Sequence, residues 1–215
     1  MAPQPKVTVV QYGMGNVLSV CRALEHCGAQ VELTTDPAAV AAAERLVLPG
    51  VGAFGDCMAA LAGRRLIDPI REFVATGRPF LGICVGMQIL MDASEEFGDH
   101  AGLGFIPGRV RQIETHSSTG AARKIPHIGW TSIEPASRKH AWARSPLSAV
   151  DPGTPFYFVH SFTAAPSDST DLLACADYAG AEVVAAVQRD NITGMQFHPE
   201  KSGPAGLAVM GAFLS

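Results

Sequence analysis

The sequence predicts an α/β fold: a single domain organised around a mixed, mostly parallel sheet with helices on both faces. Three observations point there. Up to Gly98, short β-branched runs alternate with helical stretches, and no hairpin signal separates them. That alternation calls for parallel strands joined by crossover helices. Beyond Gly98, strand-like runs succeed one another with few helices between, so the second half is expected to add antiparallel strands to the sheet. A chain of 215 residues supports one substantial core, and no change of composition divides it. Residues 6–215 are expected to form the domain, behind a disordered extension of residues 1–5.

The elements follow in order. Residues 7–10, Val-Thr-Val-Val, read as a buried strand. The glycine-rich turn Tyr12-Gly13-Met14-Gly15-Asn16 leads into a helix with Val17, Val20, Cys21 and Leu24 at helical spacing, stopped near Gly28. Residues 31–33 form a second strand. Asp36 caps an alanine-rich helix whose first turn holds Pro37. Residues 46–48 form a third strand, ending at Pro49-Gly50-Val51-Gly52. Helical stretches cover residues 54–61 and 70–74, the second closed by Thr76-Gly77. Residues 79–83 are the fourth strand, and residues 85–91 continue as a helix. The later strand-like runs are residues 110–113, 124–127, 156–162, 172–176, 183–188 and 192–196. Residues 116–120 read as a loop tip and residues 202–214 as a closing helix.

Composition excludes several classes of function. A formal net charge of −4 gives no electrostatic reason to expect nucleic acid or an anionic membrane as partner. No apolar run approaches the ~20 residues that cross a bilayer. The first residues lack an apolar signal core, so a cytoplasmic location is expected. The five cysteines, Cys21, Cys27, Cys57, Cys84 and Cys175, are odd in number and follow no framework spacing, as reduced thiols do. Cys21 and Cys27 stand too far apart for a metal knuckle, and no histidine pair completes a zinc site. No metal and no cofactor are expected, and four of the cysteines read as small buried hydrophobes.

Chemistry concentrates in three segments. Gly82-Ile83-Cys84-Val85-Gly86 has nucleophile-elbow spacing, with cysteine in the reactive place. A turn so tight strains the backbone, and a β-carbon two residues to either side would strike a neighbouring strand or helix. By itself a glycine-flanked cysteine is equally consistent with a buried strand-end thiol. His198-Pro199-Glu200 shifts the balance. Proline biases His198 towards extended geometry, in which residues two apart share a face, so Glu200 can hold one imidazole nitrogen and leave the other for the sulfur. Standing alone, this tripeptide would be an ordinary surface loop. The third segment, Pro49-Gly50-Val51-Gly52, follows a strand expected to end on the same sheet edge as Cys84. Its backbone N–H groups, joined by that of Val85, could stabilise a tetrahedral oxyanion. Three such segments at the carboxyl ends of strands are hard to explain as coincidence.

These segments resemble the class I (triad) glutamine amidotransferases, a family with a flavodoxin-like fold, and the resemblance spans essentially the whole chain. A closer likeness is to one branch, the glutaminase subunits of imidazole glycerol phosphate synthase in histidine biosynthesis. It is carried by Tyr12-Gly13-Met14-Gly15-Asn16, Ile125-Pro126-His127-Ile128-Gly129-Trp130, Phe156-Tyr157-Phe158-Val159-His160-Ser161-Phe162 and Gln196-Phe197-His198-Pro199-Glu200-Lys201. The resemblance implies that Cys84 attacks the side-chain amide of glutamine, that His198 passes a proton to departing ammonia, and that Glu200 orients His198. It implies Gly50, Val51, Gly52 and Val85 around the oxyanion, and Gln88 with the backbone near His160 and Ser161 around the glutamine. The implied partner is a (β/α)8 cyclase subunit, which uses the ammonia to make imidazole glycerol phosphate and aminoimidazole carboxamide ribotide. Trp130, Tyr157 and Lys201 are the implied contacts with it.

Gln11, Val85 and Thr131 depart from the commoner residues of that branch without altering a reacting side chain. Of the other histidines, His26, His100, His116 and His140 read as solvated, and His127 and His160 as packing or interface residues. Glutaminase subunits serving pyridoxal phosphate, anthranilate or purine synthesis would share the triad but not Tyr12 to Asn16 or His127 to Trp130 in this form. A cysteine hydrolase of similar fold would place its base close after the elbow. A non-catalytic amidotransferase-like scaffold would not need an intact triad.

Overall fold

Strands and helices alternate through the first 84 residues: β1 (Lys6–Val10), α1 (Val17–His26), β2 (Gln30–Thr34), α2 (Pro37–Ala42), β3 (Leu46–Gly50), α3 (Phe54–Gly63), α4 (Ile67–Ala75) and β4 (Phe80–Cys84). There follow α5 (Val85–Gln88), β5 (Met91–Ser94), β6 (His100–Ala101), β7 (Ile106–Gln112), β8 (His127–Pro135), β9 (Pro155–His160), β10 (Phe162–Pro166), β11 (Leu172–Tyr178), β12 (Ala181–Arg189), β13 (Ile192–Met195) and α6 (Gly203–Phe213). The computed structural model describes residues 3–116, 120, 122–136 and 142–215, so His140 and most of the expected loop tip at 116–120 lie outside the described residues. Among those described, no helix is long and apolar enough to cross a membrane.

Among the described residues the main sheet has nine strands, in the order β2-β1-β3-β4-β13-β12-β11-β8-β9. The first five run parallel, and β12, β11, β8 and β9 continue it antiparallel. Every residue of β3 and β4 is buried. Burial of both strand parities requires cover on both faces, as the βαβ order supplies. The Asp36 side chain caps α2 through the Ala38 N–H, with Pro37 in its first turn, as the sequence predicts. In register, Gly50 pairs with Cys84 and Ile83 with Met195. The ends of β3, β4 and β13 therefore lie side by side at one edge, which is where the three segments meet.

Four local expectations are corrected. Residues 85–91 are not one helix: α5 stops after one turn. The carbonyls of Ile89 and Leu90 instead accept from the N–H groups of Leu103, Phe105 and Ile106. Residues 124–126 are not strand. Pro126 has no N–H to donate, the Lys124 carbonyl is taken by the Tyr178 hydroxyl at 2.6 Å, and pairing begins only at His127 opposite His160. Residues 156–162 are two strands, because the chain leaves the main sheet at Ser161. From Phe162 it joins a second sheet, ordered β10-β7-β5-β6, that the periodicity does not reveal. His100 is half-buried, its ring lying over Gly55 of α3, rather than solvated.

Candidate active site

Cys84 ends β4 and starts α5 with φ 55° and ψ −114°, a left-handed conformation that disfavours any side chain. The flanking glycines make the turn possible. A β-carbon on Gly82 would lie 2.6 Å from the Gly86 carbonyl oxygen, and one on Gly86 would lie 1.9 Å from the Leu48 carbonyl oxygen. Helix and neighbouring strand are the obstacles, as the motif predicts. Gly50 is constrained by the same crossing, since its β-carbon would stand 2.6 Å from the Gly86 nitrogen and 2.9 Å from the Tyr12 hydroxyl.

His198 and Glu200 are joined at 2.8 Å between Nδ1 and Oε1, with both side chains buried. The pairing is the expected one, but its backbone is not. His198 is extended, whereas Pro199–Lys201 form a 3-10 turn, so the carboxylate arrives by a turn rather than along a strand. The segment is held from behind: the His198 N–H donates to the Tyr157 carbonyl at 2.9 Å, and the Ser202 hydroxyl donates to the His198 carbonyl at 2.7 Å. Burial works against the imidazolium, but Cys84 and Glu200 on its two sides outweigh it and raise the His198 pKa to about 10. His198 Nε2 is buried without a hydrogen-bond partner among the described residues. It faces the thiol without an aligned hydrogen bond, and with its pKa raised it holds a proton that can be handed to a leaving group.

A cavity of about 250 Å³ opens beside Cys84. Val51, Gly52, Val85, Gln88, His160, Ser161 and His198 all line it with Cys84, while Gly50 lies behind the wall and Glu200 behind His198. A larger cavity of about 310 Å³ sits at the opposite, amino ends of β4 and β13 and contains neither cysteine nor histidine. The smaller cavity is the one that Cys84 and His198 line. Trp130 is 57% exposed and stands edge-on to the half-buried Tyr157, ring centres 6.1 Å apart. The backbone N–H of the exposed Lys201 donates to the His198 carbonyl. These three form a surface patch next to the triad segment.

Four neighbours escape sequence reasoning. Gln196 is fully buried; its Nε2 approaches Cys84 Sγ at 3.7 Å and its Oε1 accepts from Gln88 Nε2 at 3.0 Å. Asn16 Nδ2 donates to Glu200 Oε1 at 3.3 Å across 184 residues of chain. The buried Tyr12 hydroxyl donates to the Pro49 carbonyl at 2.7 Å, bracing the glycine loop. Glu96 lines the cavity, and its Oε2 accepts from the Phe54 N–H at 2.7 Å. Gln196, Asn16 and Tyr12 fall inside segments that carry the resemblance, which is the signal that could have found them. Glu96 has no such signal.

A cysteine elbow at the carboxyl edge of a mixed sheet, faced by a His–Glu pair, has the geometry that triad-type acyl transfer requires. The chain belongs to the class-I glutamine amidotransferase family, whose model matches residues 8–214. It is 45% identical over 208 residues to the imidazole glycerol phosphate synthase subunit HisH 1 of Legionella pneumophila (strain Lens), covering 97% of this chain and 98% of that one. It is also 46% identical over 208 residues to the HisH subunit of Salinibacter ruber, covering 96% and 92%. Among solved structures, PurLQS from Thermotoga maritima superposes with a TM-score of 0.73 at 23% identity, covering 99% of this chain and 98% of that chain. That last likeness concerns the fold.

Proposed function

We propose that this chain is the glutaminase subunit of an imidazole glycerol phosphate synthase. The observation that carries the reading is the meeting, at one cavity, of a strained thiol and a buried imidazole backed by a carboxylate at 2.8 Å. The identity to HisH subunits supports the choice of substrate and pathway. With the proton already held on the His198 imidazolium, Cys84 Sγ attacks the side-chain amide carbon of glutamine as the thiolate. The oxyanion forms towards Val51, Gly52 and Val85. His198 gives the proton to the leaving nitrogen, ammonia departs, and a glutamyl thioester remains. Water, deprotonated by His198, then releases glutamate and restores the thiolate beside the imidazolium. Glu200 holds the imidazole tautomer and stabilises its charged form. The Glu96 carboxylate on the cavity wall suits the α-ammonium group of the substrate.

Ammonia passes to a (β/α)8 cyclase subunit, which binds over the carboxyl edge with Trp130, Tyr157 and Lys201 in contact. Glutamate release by the chain alone, and with the cyclase and its nucleotide ligand, tests this. The isolated chain is expected to be slow and to accelerate at least about a hundredfold on assembly, roughly 2.7 kcal/mol in barrier. Trp130→Ala and Lys201→Ala should blunt the acceleration while Cys84 stays reactive. Equal rates for the free chain and the complex would make this a free-standing hydrolase instead.

A further inference from the structure

Between β8 and Cys84 runs a file of polar groups, half-buried at Thr131 and buried beyond it, whose histidines the proposed reaction does not use. It starts at Thr131, whose Oγ1 lies 2.8 Å from His127 Nε2. His127 Nδ1 lies 3.0 Å from His160 Nε2, and His160 Nδ1 lies 2.8 Å from the Phe162 carbonyl oxygen. That carbonyl also accepts from Gln88 Nε2 at 3.0 Å. Through Gln88 and Gln196 the file ends at Cys84 Sγ. The two histidines are 1% and 6% exposed.

The Phe162 carbonyl sets every proton between it and Thr131. A carbonyl oxygen can only accept, so His160 Nδ1 carries hydrogen and, in the neutral ring, Nε2 is bare. His127 must then donate from Nδ1, which leaves its own Nε2 bare for the Thr131 hydroxyl. Burial keeps both rings neutral, pushing His127 down to about 4 and His160 to about 3. A proton added to His160 would set two N–H groups face to face. His127 is also locked against rotation, stacked between Phe158 at 4.8 Å and Tyr178 at 3.9 Å. An apolar ring would fill that slot without the cost of burying polar nitrogens, so packing does not explain a histidine there. Nor is either ring a base, because all four ring nitrogens are engaged.

We propose that His127 and His160 are positioning residues, forming a one-way hydrogen-bond relay through which strand β8 sets the Ser161 and Gln88 walls of the glutamine cavity. The His160–Phe162 bond spans the point where the chain changes sheets, and Ser161, between them, lines the cavity. The relay begins beside Trp130 on the face assigned to the partner, so docking and substrate grip would share it. The proposal rests on the cavity being the glutamine site.

Alkylation of Cys84 in the full chain by two reagents separates grip from thiol reactivity. A glutamine-like diazoketone must occupy the cavity, whereas iodoacetamide need only reach the sulfur. His127→Phe keeps the stacked ring and removes both bonds. It should slow diazoketone labelling about tenfold, and Thr131→Val about threefold, the scale of one or two buried hydrogen bonds. Iodoacetamide rates should stay within about twofold of wild type, and Thr131→Ser, which keeps the hydroxyl, should label normally. The double variant should label no more slowly than His127→Phe alone, since the relay is already cut. Unchanged diazoketone rates, effects that multiply in the double variant, or equal slowing with both reagents would each overturn the relay. Should His127→Phe fail to fold, Thr131→Val against Thr131→Ser decides by the same criterion. A wild-type Cys84 that ignores the diazoketone yet reacts with iodoacetamide would instead overturn the glutamine-site reading, and the relay with it.

Discussion

Cys84 is held in a left-handed conformation that costs a non-glycine residue about 1–3 kcal/mol, and it is nearly fully buried at 4% exposure. Its sulfur contributes little packing, so Cys84→Ala should fold normally and bind the partner. Loss of the nucleophile should lower glutamine turnover by several orders of magnitude, on the order seen for triad knockouts. A glutamine-analogue electrophile should mark Cys84 alone. Burial pushes the Cys57 and Cys175 thiols up to about 11 and 12, so both are unreactive thiols at neutral pH. Label found evenly on all the cysteines would remove Cys84 from its role. Glu200→Gln keeps a hydrogen-bond acceptor for His198 but loses the charge and the tautomer control. Turnover should fall on the order of 10³–10⁴-fold with little change in KM, since Glu200 does not line the cavity. Steady-state kinetics with an unchanged turnover number would exclude Glu200 from the triad.

At the scale of elements, the site exists because β3, β4 and α5 cross at glycine. The crossing admits no extra carbon: the obstacle at Gly86 is the Leu48 backbone, 1.9 Å from the β-carbon position, and backbone cannot rotate away as a side chain can. Gly86→Ala is therefore expected to cost more than about 3 kcal/mol, at the extreme of single substitutions. Gly211 provides the contrast. It lies in α6 with nothing within 4 Å of its β-carbon position, and Gly211→Ala should gain about 0.5–1 kcal/mol from helix propensity. Urea unfolding midpoints of the two variants should move in opposite directions. Similar shifts for both would mean that the elbow is looser than its geometry.

For the whole molecule, stability against pH reports the buried histidines. The described salt bridges outside the triad are exposed on at least one side, and such pairs contribute little. His127 and His160 have folded pKa values below the unfolded ~6.5. Between about 6.5 and 4 the unfolded chain binds the extra protons, so stability falls as pH drops through that window. His198 has the opposite sign. Its pKa is raised to about 10, so the folded state holds the extra proton and stability falls as pH rises above about 6.5. Each histidine contributes a slope of up to about 1.4 kcal/mol per pH unit in its window. Thermal melts should thus show greatest stability near pH 6.5, with an acid arm that flattens in His127→Phe. A flat profile from pH 4 to 9 would mean that these rings are solvated.

The parallel half of the fold, the elbow turn and the His198–Glu200 pair were legible because each is a local pattern. Buried strands read as β-branched runs, helices as periodic apolar positions, and the elbow glycines as spacing around Cys84. The likeness to a known family then joined Cys84 to His198 across more than a hundred residues. What stayed illegible was whatever depends on a partner distant in sequence. The one-turn α5 is not continued because Leu103, Phe105 and Ile106 donate to the Ile89 and Leu90 carbonyls just beyond it, and the strand break at Ser161 is set by a second sheet. Asn16 on Glu200, Gln196 on Cys84 and the His127–His160 pair are likewise contacts that no spacing encodes. The sequence by itself determined which segments meet at one sheet edge as candidates for the reactive groups and which strands bury both faces, because side-chain chemistry and periodicity are properties of short segments. Only the tertiary structure decided how those groups are oriented and held, because buried polar groups are satisfied by whichever atoms the fold brings within hydrogen-bonding reach.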